Sequence, residues 1–151
     1  MNKKLYVIAP IILLIAAAAL VSVVIAWTNL QHDASQDPLD TGTVTQADLE
    51  GRVFVMTSIN GSNVDGHYLL RIPGDSMGIT ICNNISGGYR ITNNTLEQNG
   101  SWMSTLIGCP EPQSKIEGLF SSFIRNHPRI SLSGKVLTLY TPNEKFVFTE
   151  E

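Results

Sequence analysis

The chain has 151 residues, 43% of them hydrophobic and 15% charged, with a formal net charge of -3 at pH 7. That length fits one domain plus an accessory segment, and the residues after Lys4 carry 8 basic against 13 acidic side chains, a net of -5. A mildly acidic body with no basic stripe argues against nucleic acid as a partner, and two cysteines with no histidine at ligand spacing argue against a zinc site.

The first four residues form a short positive head, with Lys3 and Lys4. Residues 5–27 then run without a single charge. As a helix they would be about 34 Å long, slightly more than the hydrocarbon core of a bilayer. Tyr6 and Trp27 stand at the two ends, where amphipathic rings favour the headgroup zone. The basic residues lie on the N-terminal side and none follows until Arg52. The expected arrangement is a single-pass membrane anchor with a cytoplasmic N-terminus and an extracytoplasmic C-terminal domain. A cleaved signal peptide, cut before Trp27, is the competing reading; the apolar run is longer than the usual 7 to 15 residues of such a signal. Both readings export the domain. Residues 28–47 are polar and rich in Asp, Ser, Thr and Gly, which predicts a flexible linker.

From residue 48 the pattern changes. Residues 52–59, 67–72, 77–83, 89–92, 95–97 and 102–107 are short β-branched or alternating runs. They are punctuated by Asn60-Gly61, Pro73-Gly74, Gly87-Gly88 and Asn93-Asn94, which predicts an antiparallel meander. Between Pro112 and Asn126 the period lengthens. Ile116, Leu119, Phe120, Phe123 and Ile124 fall on one stripe of a helix, stopped by His127-Pro128. Residues 129–132, 136–140 and 146–149 supply further strands. Strands, one helix, then strands is an α+β order, so the fold class is a small antiparallel β meander or pseudo-barrel packed around one helix, preceded by a single transmembrane helix.

Few residues suggest chemistry. Cys82 and Cys109 enclose 26 residues, and in an exported domain a disulfide between them is available; the alternative is two separate buried thiols. His32, His67 and His127 are isolated from any nucleophile, and His127 is placed to meet the last carbonyls of its helix. Asp65, Asp75, Glu97, Glu111 and Glu117 are scattered and read as solvated surface. Gly87-Gly88 lacks the lysine and following helix of a phosphate loop and reads as a turn or bulge. Tyr68, Tyr89, Trp102 and Tyr140 either finish the core or line a groove, with Tyr89 and Trp102 the two whose neighbours are polar. No catalytic residue, cofactor or metal is expected.

Several pieces in fixed order resemble the META domain, the family of HslJ-like heat-shock proteins. They are Leu49, Gly51, Arg52, Phe54 and Val55 running into Ser58-Ile59-Asn60-Gly61; Cys82-Asn83 with Ser86, Gly87 and Tyr89; Met103-Ser104-Thr105 leading to Cys109-Pro110; Glu117 and Phe120 on the helix; and Leu132, Gly134, Leu137, Thr138 and Leu139 at the end. The pattern departs from the family at Ile81, Ser104 and Phe54, where Gly, Met and Trp are usual. The resemblance covers residues 48–151 and implies a small β-rich domain around one helix, in the bacterial envelope, without a settled enzymatic activity. It implies an association with envelope stress and drug resistance. The expected role is a non-enzymatic binding module. Its partners would be the membrane, through residues 5–27, and an unidentified protein or peptide at exposed strand edges. The alternative is an exported inhibitor of a protease or muramidase, acting through residues 61–66 or 93–101.

Overall fold

A computed structural model describes residues 42–151. The expected anchor and most of the expected linker lie outside the described residues. Among the described residues no helix is long and apolar enough to cross a membrane.

Among the described residues a 3-10 turn, Gln46–Asp48, precedes nine strands and one helix. The strands are β1 (Val53–Ile59), β2 (Ser62–Asn63), β3 (Leu69–Arg71), β4 (Ser76–Thr80), β5 (Asn84–Thr92) and β6 (Thr95–Ser104), then β7 (Arg129–Ser133), β8 (Val136–Tyr140) and β9 (Lys145–Glu150). The helix α1 (Gln113–Ile124) lies between β6 and β7. All pairings are antiparallel, in the order β2-β1-β3-β4-β5-β6-β7-β8-β9, and β1 also pairs with β9, so the sheet closes on itself. The α+β meander around one helix expected from the sequence is the architecture observed.

Period-two alternation sends Phe54 and Met56 of β1, Met77 and Ile79 of β4, and Phe146 and Phe148 of β9 into the interior. The helix supplies the complementary stripe. Phe120 meets Phe146 edge-on at 5.5 Å and Phe148 at 6.5 Å, and Phe123 lies 4.5 Å from Phe146. Burying Phe120, Phe123 and Ile124 stabilises the docked helix by roughly 1.5–3 kcal/mol per side chain. Leu119 is exposed and Ile116 half-buried, so the apolar stripe is narrower than its spacing suggests.

At the first residues of the domain, Arg52 joins four segments. It forms a two-pronged ion pair with Glu150 on β9, at 2.9 and 2.8 Å, and donates to the carbonyls of Gly134 and Asp48. Its guanidinium also lies 4.9 Å from the Phe54 ring centre. The Arg52 hydrogen bonds hold the Glu150 carboxyl below the ordinary range. Residues 42–47, read from sequence as the end of the linker, are fixed to the domain. Val44 is buried, its N–H donates to the Asn94 side chain at 2.8 Å, and Asn94 donates in turn to the Gly42 carbonyl at 2.7 Å.

Three local expectations are corrected. Residues 81–83, expected at the end of a strand, form the turn, and of the turn or bulge expected at Gly87-Gly88 it is the bulge that is observed, inside β5 where the register with β6 shifts. Residues 95–97 and 102–104, read as parts of separate strands, belong to the single strand β6, so residues 93–101 are a turn and a strand and not a projecting loop. The reason is close backbone approach. A Cβ on Gly88 would collide with the Asn99 carbonyl, and one on Gly87 would collide with the Trp102 ring, so only glycine lets β6 run on past its Gly100 kink. The third correction is β2, a two-residue strand that follows the expected Asn60-Gly61 turn.

Gly88→Ala is expected to destabilise the domain by about 2–4 kcal/mol, because backbone must move to admit the methyl. Gly118→Ala, in open space on α1, is expected to stabilise by about 0.5–1 kcal/mol. Denaturant unfolding of the two variants checks both signs. Equal effects would contradict the close approach of β5 and β6.

Candidate functional site

The motif residues converge on the side chain of Asn83, which is only 4% exposed. Its carbonyl oxygen accepts from the Thr105 hydroxyl and from the Ile107 N–H, both at 2.9 Å. Its amide nitrogen donates to Glu117 Oε1 at 2.9 Å and to the Ile107 carbonyl at 3.2 Å, with Cys109 Sγ also 3.2 Å away. The other oxygen of Glu117 accepts the Asn83 backbone N–H at 2.7 Å. Thr105 Oγ1 in turn accepts from the Asn84 N–H at 3.0 Å. Beside this network Cys82 and Cys109 are joined in a disulfide, with Cα atoms 6.0 Å apart. The turn after β4, the segment between β6 and α1, and the first turns of α1 are thereby fastened together.

The carboxamide suits the task because it offers donors and acceptors at once, whereas a carboxylate only accepts. Every side-chain polar atom of Asn83 has a partner, as a buried amide requires. The arrangement holds backbone. It contains no nucleophile beside a base, and the two sulfurs are bonded to each other.

Cys82, Asn83, Thr105 and Cys109 are therefore brought together, with Glu117 as the member that sequence reasoning left as surface. Ser86, Gly87 and Tyr89 lie farther along β5. Ser86 pairs with Met103, Gly87 underlies Trp102, and the Trp102 indole N–H donates to the Gly88 carbonyl at 2.9 Å. Pro110 is exposed in the segment leading to α1, where its carbonyl accepts the Ser114 N–H. Tyr89 is 1% exposed and belongs to the core, and its hydroxyl makes no hydrogen bond among the described residues. Burial, with the charges of Glu50 and Asp75 adding to it, pushes the Tyr89 phenol up to about 12. Tyr68 and Tyr140 are buried too, and Trp102 is half-buried.

His67 and His127 stay apart, and His32 lies outside the described residues. His67 Nε2 lies 3.2 Å from Glu151 Oε1 at the surface, and His127 is the left-handed residue where the chain leaves α1. Among the described residues no three His, Cys, Asp or Glu side chains are grouped to hold a metal.

What sequence reasoning missed is the surface this network displays. Leu106 is 94% exposed, Met103 72% and Ile107 62%, although the run 102–107 has the apolar composition of a core strand. The backbone of Ile107 is clamped through both its N–H and its C=O. Alongside lies a groove of about 400 Å³ between β6 and α1, lined by Gln98, Trp102, Met103, Ser104, Ile124 and Arg125 among others.

Two outcomes are expected. Asn83→Ala should cost about 2–4 kcal/mol in denaturant unfolding by stranding the Ile107 and Glu117 groups, and Asn83→Asp should cost at least as much at neutral pH and recover part of the loss in acid, because it sets a second carboxylate against Glu117. A loss under about 0.5 kcal/mol for both would show that the network bears no load. Tyr89 gives a pH signature. Below pH 10 it is neutral in both states, and between 10 and about 12 only the unfolded chain loses the proton, so stability falls as pH rises by roughly 2–3 kcal/mol. Tyr89→Phe should remove that share of the alkaline loss, and an unchanged alkaline profile would contradict its burial.

Comparison with known proteins places the chain. The model of the META domain family matches residues 47–151. No curated protein matches the chain. Among solved structures, one protein determined by NMR is 23% identical with a TM-score of 0.64, over 71% of this chain and 95% of that one. An NMR structure of a protein from Burkholderia xenovorans is 15% identical with a TM-score of 0.57, over 77% of this chain and 97% of that one. At these identities the two structures show a shared fold. With the family model spanning the whole of the closed sheet, its helix and the Asn83 network, the chain belongs to the META domain family.

Proposed function

We propose that the chain is a non-enzymatic binding module of the cell envelope, held by residues 5–27 as a single-pass anchor with the META domain outside. The observation that carries the binding role is the display of Leu106 and Ile107 on backbone that Asn83 and the disulfide hold still. Exposed apolar side chains cost solubility unless something covers them, and a rigid backbone reduces the entropy lost on binding. The motif residues already have structural work, which supports a role without catalysis. A disulfide fits an oxidising compartment, and the uncharged 23-residue run fits a retained anchor. Envelope stress or drug resistance is the setting the family resemblance suggests for this binding.

A second reading is an exported inhibitor of a protease or muramidase. The segment that favours it is residues 105–109, not the loops the sequence suggested. Leu106 stands almost fully exposed on a cross-linked stretch, a shape that suits insertion into a cleft.

The test places a photo-crosslinking amino acid at position 106 of the full chain in intact cells, with position 143 as a control. The binding module gives a discrete protein adduct at 106 that is absent at 143 and lost with Ile107→Asp. Identical background at both positions would sink it. Inhibition of a purified hydrolase by the full chain, abolished by Leu106→Asp, would favour the second reading instead.

A further inference from the structure

The closed sheet has a seam. β7 meets β6 at one residue pair, Thr95 with Arg129, yet β6 runs on to Ser104. Strand parity shows what faces the gap. Thr92 and Thr95 close the Asn93-Asn94 turn, so Thr95, Glu97 and Asn99 address β5 through their backbone groups while Leu96 and Gln98 address the other side. Leu96 confirms the parity, since its N–H donates to the Pro128 carbonyl at 2.8 Å. Past the register shift, Ser86 opposes Met103 and the Thr105 N–H donates to Asn84, which turns the backbone of Trp102 and Ser104 outward. Among the described residues, Gln98, Trp102 and Ser104 thus present N–H and C=O groups with no strand beside them.

The same three residues line the groove of about 400 Å³ whose far wall is Ser121, Ile124 and Arg125 of the helix end. That volume lies in the range of sites that take a small ligand or a short peptide. Arg125 is the one charged side chain lining it, is exposed, and makes no ion pair among the described residues. Bare backbone in register selects an extended chain, an unpaired guanidinium selects an anion, and Met103 at the groove offers apolar contact.

We infer that the open edge of β6 accepts an extended peptide bearing a carboxylate, which adds to the sheet as a strand and presents its anion to Arg125. The edge from residue 98 to 104 spans about 20 Å, so a peptide of about five or six residues covers it. This rests on the binding role proposed above and adds the class of ligand. It is separable from that role because the strand site is the β6 edge, whereas the crosslinking probe reports on Leu106.

The test screens a display library of random twelve-residue peptides, with free C-termini, against the full chain in lipid nanodiscs. Selected peptides are then made synthetically, and hydrogen exchange of the chain is followed by mass spectrometry. The expected result is enrichment of peptides with an acidic residue or a required C-terminal carboxylate, protecting residues 98–104 on binding. Gln98→Pro removes one outward N–H and leaves the β5 ladder intact, and it should weaken binding at least tenfold. Arg125→Glu should abolish the preference for acidic peptides. No enrichment over an unrelated anchored domain, protection confined to other segments, or affinities indifferent to both substitutions would overturn the inference. Should Gln98→Pro fail to fold, the exchange pattern of the unaltered chain and the Arg125→Glu result decide. A crosslink at position 106 together with a failed screen would leave the binding module standing and remove strand addition.

Discussion

The structure depends on one buried carboxamide. The turn before β5, the segment after β6 and the start of α1 are not paired with one another as strands, and the first two would otherwise leave polar backbone without partners. Asn83 meets all three through Thr105, Ile107 and Glu117, and the disulfide beside it limits how far they separate in the unfolded chain. By loop closure alone, a cross-link over this span contributes about 3–4 kcal/mol. Covalent and hydrogen-bonded restraints therefore act on the same few residues. The consequence is a stretch of chain that is exposed at its side chains and fixed at its backbone.

The helix explains why the sheet is complete on one side and open on the other. Between β9 and β1 the ladder is nearly continuous, and Phe146 and Phe148 face Phe120 and Phe123 across the interior. Between β6 and β7 the chain leaves to form α1, so the strands diverge after a single pair and the helix covers the core in place of further pairing. Apolar closure is achieved without backbone closure. A seam of this kind is where a sheet retains capacity for another strand.

Much of the fold was legible because its signals are local. Alternation located β1 and β7 to β9 within a residue or two, Asn93-Asn94 marked its hairpin by tolerating left-handed backbone, and the spacing of Phe120 and Phe123 marked the helix. The turn at residues 81–83 carried no such signal. It is made by a side chain reaching residues more than twenty positions away, which composition does not reveal. Gly87-Gly88 left turn and bulge open because glycine serves a turn and a close approach equally well, and only the neighbours Trp102 and Asn99 decide for the bulge. Of the site, the cysteines stood out as a pair in an expected exported domain, and Asn83 through family resemblance. Glu117 was visible there only as part of a motif, and its role as acceptor needed the helix to be docked. Residues 102–107 read as one strand, but β6 ends at Ser104, and Leu106 and Ile107 are exposed where Asn83 holds the chain beyond the sheet.

The account stands on residues 105–109 being rigid while their apolar side chains meet solvent. Backbone nitrogen-15 relaxation of the full chain, oxidised and in a membrane mimic, measures this directly. Order parameters near 0.85 for these residues, equal to those of the paired strands, are what the Asn83 network predicts. Values below about 0.6, with β5 and β8 remaining ordered, would mean that the segment is loose and that its display of Leu106 is not preorganised.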